Sequence, residues 1–362
     1  MEKENINMWK ILSFIMLFML MLYGCLDKEI IDDVNLVMVI GYDVGEGNKI
    51  KGTIVAPEYK KEQPVDSKVM TVESDLSRDL ISDLQKESPA PLVYGKLQFA
   101  LYSEDVAKQG IEKYVDSLER DASVGSKVIL AVCKGEAKNL LEGKYGQQGT
   151  ATYFRNLVEH NMHRENLPII NLHTYLRNFR MKGKDPSLPL LEKKNDHVKI
   201  TGLALFQKDK MVGEIENDQL FYFKLLSDRY VKGIHTITMD DGNKASIESI
   251  RSKRRANIDE KNPFHLTIEL EIEGYLREYS EGTVRPEILK KAEKAFEKEI
   301  VKNSMEMIDM FKEKNIDPVG LGEEILSHSR GLRNVKNWRD IYSKMEVDVH
   351  ADVKITETGV VQ

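Results

Sequence analysis

The sequence predicts an α+β fold of three units, each a mostly antiparallel or mixed β-sheet packed with α-helices, preceded by a signal peptide. Three observations carry this. Val/Ile-rich runs bounded by turn residues interleave with amphipathic helical stretches rather than following one long pattern. Near the C-terminus, Leu266, Ile268, Leu270 and Ile272, and again Val347, Val349, Ala351, Val353 and Ile355, alternate with polar residues, as in sheets with one wet face. The chain of 362 residues is long enough for two or three domains at about 150 residues each. With 41% hydrophobic and 31% charged residues the composition is ordinary for a folded protein. A net charge of -6 argues against a nucleic-acid partner, which calls for a basic excess.

The first element is a leader. Ile11 to Leu22 reads ILSFIMLFMLML, which fits the apolar region of a secretion signal and is short of the roughly 20 residues a bilayer span needs. Leu22-Tyr23-Gly24-Cys25 follows, and the chain then turns charged at Asp27, Lys28 and Glu29. The arrangement resembles a lipobox, in which the cysteine is acylated and becomes the N-terminus after cleavage. Residues 1–24 are therefore expected to be the signal peptide and Cys25 the lipidation site. The other cysteine, Cys133, lies in the apolar run Lys127 to Cys133 and reads as a buried small hydrophobe, so no disulfide framework is expected.

An N-terminal α+β domain is expected over 25–192. Val34 to Val44 and Lys49 to Pro57 read as strands joined across Gly45-Glu46-Gly47-Asn48. Glu73 to Glu87 places Leu76, Leu80, Ile81 and Leu84 on one helix face, Leu92 to Tyr102 returns to strand, and Glu104 to Arg120 is a second amphipathic helix. Lys127 to Cys133 is a further strand. From Glu136 to Asn195 the pattern gives helical pieces around Leu167-Pro168, and Pro186 and Pro189 mark a connector.

A middle α+β domain is expected over 196–260. It opens with a hairpin, Ile200 to Phe206 and Lys210 to Ile215, continues with a helix through Leu220, Phe223 and Leu226, and ends in strands Ile234 to Met239 and Ser246 to Arg251. The C-terminal α+β domain, 261–362, holds the two alternating strands and, between them, a long helix over 286–313 opened by Pro286. Its Leu289, Ala292, Phe296, Ile300, Met307, Ile308 and Phe311 form one stripe, which predicts that it covers the sheet. On its other face Lys290, Lys291, Lys294 and Lys298 alternate with Glu287, Glu293 and Glu297 as mixed-sign neighbours, an exposed pattern.

Residues that would carry chemistry are sparse. His160 and His163 beside Glu159 share a helix face, but no third ligand follows at a zinc-site spacing, and His265 and His350 fall on polar sides of their strands. Gly143, Gly146 and Gly149 form a Gly-rich segment without the Lys-Ser/Thr of a phosphate loop. Hydrolase signatures are absent. No catalytic, cofactor or metal residues are therefore expected. Arg251-Ser252-Lys253-Arg254-Arg255 is the most basic run, read as a solvated strand end that is also suited to anionic headgroups.

Several short motifs recur in order. They begin with Cys25-Leu26-Asp27-Lys28-Glu29-Ile30, Gly95-Lys96-Leu97, Glu104 to Ile111 and Lys134-Gly135-Glu136-Ala137. Gly202-Leu203-Ala204-Leu205-Phe206 follows, then Asp317-Pro318-Val319-Gly320-Leu321-Gly322, Trp338 and the closing strand to Thr358-Gly359. Together they resemble the Ger(x)C lipoproteins, C subunits of spore nutrient germinant receptors. Leu26 stands where that family has Trp, and Lys96 where it has His. The resemblance implies a three-domain α+β lipoprotein on the outer leaflet of the inner spore membrane, bound to A and B membrane subunits and without enzyme activity. A solute-binding lipoprotein of a transporter is the alternative, disfavoured because such proteins carry strands buried on both faces, unlike 265–273 and 347–355.

Overall fold

Two β-sheets, one of eight strands and one of four, organise the chain from Asn35 onward. The computed structural model describes Phe14 and residues 34–58, 66–164, 167–228, 233–259, 261–262, 264–281, 284–328 and 338–356. Apart from Phe14, the expected signal peptide lies outside the described residues, and so does Cys25.

The eight-stranded sheet starts from the Val/Ile runs. Strands β2 (Val39–Val44) and β3 (Ile50–Glu58) pair antiparallel across a short turn, as the sequence predicts, and β4 (Asp66–Ser74) extends the edge. The two-residue β1 (Asn35–Leu36) pairs with β5 (Leu92–Val93) in a small separate ladder. Strands β6 (Phe99–Ser103), β7 (Ile129–Cys133) and β8 (Ser187–Lys194) follow β2 in parallel register. The hairpin β9 (His197–Gln207) and β10 (Lys210–Glu216) then returns antiparallel on β8, giving the order β10-β9-β8-β7-β6-β2-β3-β4. Every residue of β6 and β7 is buried, which their unbroken apolar runs require.

Six helices cover this sheet: α1 (Asp79–Glu87), α2 (Glu104–Gln109), α3 (Glu112–Arg120), α4 (Ala137–Leu141), α5 (Thr150–Arg164) and α6 (Leu172–Arg180). Ser103 caps α2 by accepting the Val106 N–H, and an Asn171–Thr174 capping box starts α6. Two helix expectations need correction. The first helix begins at Asp79 instead of Glu73, because β4 runs on to Ser74, and Leu76 is left 62% exposed rather than on a packed face. The helix expected over 104–120 breaks at Gly110 (φ 122), where a Cβ would sit 2.3 Å from Oδ2 of Asp209. The break lets the Ile111 N–H dock on the Asp209 carbonyl in the β9–β10 turn.

The second sheet has the order β11-β12-β13-β14, formed by β11 (Gly233–Thr238), β12 (Lys244–Ile258), β13 (His265–Tyr279) and β14 (Glu346–Thr356). Strands β13 and β14 are parallel, with Ile268 opposite Val349 and Ile272 opposite Val353. The crossover between them contains the long helix α8 (Pro286–Glu313), preceded by α7 (Leu220–Ser227) and followed by α9 (Leu321–His328) and α10 (Arg339–Tyr342). All seven residues of the expected α8 stripe are buried, and the helix packs on β14 and β11 as expected.

The segment 196–260 is divided between the sheets. Its first hairpin extends the eight-stranded sheet through β8, and its later strands β11 and β12 join β13, so no separate middle sheet forms. The connector expected at Pro186 and Pro189 is strand β8. Its pairing with β7 involves only Leu190 and Leu191, so the N–H that Pro189 lacks is not needed on that side.

Candidate functional site

The Asp317 to Gly322 motif and Trp338 form a polar seam between the C-terminal segment and the loop that enters β8. The Asp317 carboxylate is fully buried and accepts the N–H groups of Gly320 (2.7 Å), Leu321 (3.0 Å) and Gly322 (2.6 Å) at the start of α9. Burial pushes this carboxyl up to about 7, against the three amide donors that pull it down.

Asp185 answers from the other side. Its backbone N–H donates to the Asp317 carbonyl, and its Oδ2 accepts the Asp317 N–H, both at 2.8 Å. Arg339 donates to both Asp185 oxygens, with Nη2 at 2.8 Å from Oδ1, and also to the Asn315 carbonyl. Its guanidinium lies 4.8 Å from the Trp338 ring centroid, and Trp338 packs edge-on against Tyr342. Gly183 completes the seam. At φ +88 a Cβ would come within 2.4 Å of the Glu323 nitrogen, whose N–H donates to the Gly183 carbonyl.

A second polar junction ties α7, β11 and α8 together. His235 Nε2 is 2.8 Å from Glu299 Oε1, and the Tyr222 hydroxyl donates to the same oxygen at 2.5 Å. The imidazole stacks on Phe221 (4.8 Å) and Phe296 (5.4 Å). Burial pushes the Glu299 carboxyl upward, but the hydrogen bonds from His235 and Tyr222 outweigh it and leave it below its ordinary value.

A third, in the eight-stranded sheet, has the buried Asp43 accept the Ala137 and Lys138 N–H groups at 2.7 and 2.9 Å, capping α4 from strand β2. These arrangements satisfy buried polar groups with fixed partners. Tyr222, His235 and Glu299 are spent on one another, and Asp185, Asp317 and Arg339 on the seam, so the geometry suits holding elements in register rather than moving protons to a substrate.

The other residues singled out by sequence reading do not converge. Cys133 is fully buried, and burial drives its thiol well above the ordinary value. His160 and His163 lie on α5, and among the described residues no three His, Cys, Asp or Glu side chains gather to hold a metal ion. The Gly143–Gly149 segment lines a groove of about 640 Å³ with Tyr145, Tyr153, Gln148 and His160, and no Lys or Arg is among its walls. His265 is not simply solvated: it pairs with Asp348 at 2.8 Å, and that bond raises its pKa. The basic run is likewise committed in part. Arg254, 9% exposed, pairs with Glu324 of α9 at 2.7 Å, and Arg255 bridges across the strand to Glu271. Asp185, Arg339, Glu299 and His235 escaped sequence reading, since each acquires its partner only through the fold.

Known proteins agree with this architecture. The description "Spore germination protein N-terminal domain" matches residues 27–193, and "Spore germination B3/ GerAC like, C-terminal" matches 201–359. The spore germination protein GerQC of Bacillus cereus is 30% identical over 349 residues, 94% of this chain and 96% of that protein. The putative spore germination protein YfkR of Bacillus subtilis (strain 168) is 24% identical over 72% of this chain and 71% of its own. The crystal structure of the GerBC protein shares the fold with a TM-score of 0.61 at 16% identity, over 87% of this chain and 96% of that one. Among the described residues no helix is long and apolar enough to cross a membrane. With both domain models matched in sequence order and a relative aligned nearly end to end, the chain belongs to the Ger(x)C family of spore germination proteins.

Proposed function

We propose that this chain is the lipid-anchored C subunit of a spore nutrient germinant receptor. Cys25 carries the acyl anchor, holding the protein on the outer leaflet of the inner spore membrane, and the folded chain works by binding the A and B membrane subunits, without catalysis. The observation that carries this reading is the continuous match to both family domains over residues 27–193 and 201–359, directly behind an apolar run that ends at Gly24-Cys25. The buried polar junctions fit a subunit whose task is to present fixed surfaces, because each removes a degree of freedom between elements. Stable anchoring by lipid requires two signals, such as two acyl chains, which a lipobox cysteine supplies.

The test is affinity purification of the tagged chain from detergent-solubilised spore membranes, with mass spectrometry of its companions and of its N-terminal peptide. An acylated peptide beginning at Cys25, together with two multi-span subunits, is the expected result. A transporter permease in their place would overturn the receptor reading. An unmodified Cys25 would overturn the anchor.

A further inference from the structure

Three acids in the middle of the long helix α8 turn inward. Glu293 Oε1 accepts the Ile355 N–H at 2.8 Å and Glu297 Oε1 accepts the Val353 N–H at 3.1 Å, both along the edge strand β14. Glu299 is held by His235 and Tyr222. The sequence pattern pairs Glu293 and Glu297 with lysines three or four residues away, but the folded chain directs them to the strand edge.

What remains outward between positions 290 and 302 is Lys290, Lys291, Lys294, Lys298 and Lys302, all exposed. At about 1.5 Å rise per residue this stripe is roughly 18 Å long. The ion pairs of Lys298 with Asp240 and Lys302 with Glu306 are loose, each 3.9 Å and largely in solvent, where pairing contributes little. Exposed Glu287 and Glu306 bound the stripe at its two ends. A chain of net charge -6 thus concentrates five ammonium groups on one helix face.

The chemistry of the face selects its partner. Protein interfaces are anchored by Trp, Tyr and Arg and are depleted of Lys, and residues 287–306 contain no Trp, Tyr or Arg. Lysine is a compact point charge on a flexible stem, suited to a plane of phosphates whose positions are not fixed in advance. We propose that the outer face of α8 lies against an anionic phospholipid surface, with Lys290, Lys291, Lys294, Lys298 and Lys302 meeting the headgroup phosphates. The proposal deepens the membrane-anchored reading above by assigning the face that the anchored protein turns toward the bilayer.

Amine footprinting tests it on the full chain. The protein is bound to vesicles of phosphatidylcholine alone, or of phosphatidylcholine with phosphatidylglycerol, and acetylated briefly, and each lysine is quantified by mass spectrometry. The five stripe lysines are expected to react several-fold more slowly on the anionic vesicles. That protection should vanish as added salt shortens the screening length from about 10 Å at 0.1 M to about 3 Å at 1 M. Exposed Lys199 and Lys210 should react alike on both vesicles. The double variant Lys294→Glu with Lys298→Glu should lose the protection of the remaining three.

Equal reactivity of the stripe on both vesicles overturns the proposal. So does protection that appears only when other membrane proteins are present, since the occupant would then be an acidic protein surface. A chain that stays in solution with neutral vesicles loses the anchor reading instead. In that case the helix face stands if anionic vesicles still draw the chain down and shield these lysines, and falls if they do not.

Discussion

The two sheets are buried by different rules. In the eight-stranded sheet β6 and β7 are buried at every position, so both faces are dry, and the buried carboxylate of Asp43 is held by the N–H groups of the first turn of α4. In the four-stranded sheet alternate residues are buried. Leu266, Ile268, Leu270 and Ile272 are buried, while Glu269, Glu271 and Glu273 lie on the other, wetter face. The first sheet is sealed by many short helices and the second chiefly by one long helix, so the second leans on the polar junctions at the middle of that helix, through Glu299, and just past its C-terminus, through Asp317. Those junctions are where substitutions should separate the two sheets.

Arg339→Ala is expected to give the largest effect. It leaves Asp185, whose side chain is 4% exposed, buried without its cation, and breaking a buried pair from one side costs about 3–5 kcal/mol. Arg255→Ala, on the wet face of the second sheet, removes an exposed cross-strand pair worth about 0–1 kcal/mol. Thermal or denaturant unfolding of the two variants compares them directly. Similar losses would mean that the seam does not hold the C-terminal segment to the larger sheet.

Gly183→Ala should come next. The residue sits at φ +88, and its new methyl would meet the backbone of Gly322 and Glu323, so at least about 1–3 kcal/mol of strain is expected. Gly242→Ala shares the positive φ (+85) but has open space around it, and should cost less. Denaturant midpoints for the pair isolate the close approach from the backbone preference.

The two junctions should also respond to pH in opposite directions. Burial raises Asp317 to about 7, so its contribution to stability is fully present below the ordinary 3.8 and is lost as pH rises toward 7. The hydrogen bonds from His235 and Tyr222 hold Glu299 below 4.5 in spite of its burial, so its contribution is present above that value and lost as pH falls through the lowered pKa. Denaturant unfolding across pH 3–8 should therefore lose a falling component in Asp317→Asn and an acid-side decline in Glu299→Gln. An unchanged profile in either variant would show that the named group does not carry that limb.

These contrasts also set what the sequence can disclose. Period-2 alternation exposes β13 and β14, and a single apolar stripe exposes α8, because each pattern is local and repeats. Strand β8 hides behind Pro186 and Pro189, which local rules treat as breakers, since only the register against β7 and β9 shows that no donor is wanted there. The half-buried edge strand β4 has neither clear alternation nor a long apolar run, so its end reads as the start of a helix. The seam is silent for another reason: Asp185 finds Asp317 132 residues away and Arg339 154 residues away. The Asp317 motif is visible as a motif, but its partners are not.

The edge of β14 gives the smallest and most local effect. Edge strands offer unpaired N–H groups to other chains, and here Glu293 and Glu297 occupy those of Ile355 and Val353. Glu293→Ala removes one such bond at the surface of the sheet without touching the buried stripe of α8, so overall stability should shift by about 1 kcal/mol or less. Amide hydrogen exchange is the sharper measurement: the Ile355 N–H should exchange about fivefold faster for a bond of about 1 kcal/mol, while amides in β6 and β7 stay unchanged. Faster exchange throughout β14 would mean that the glutamates hold the whole strand against α8. Unchanged exchange at Ile355 would mean that the one-faced sheet needs only its apolar stripe, and that the inward turn of these acids serves chiefly to leave the lysines outside.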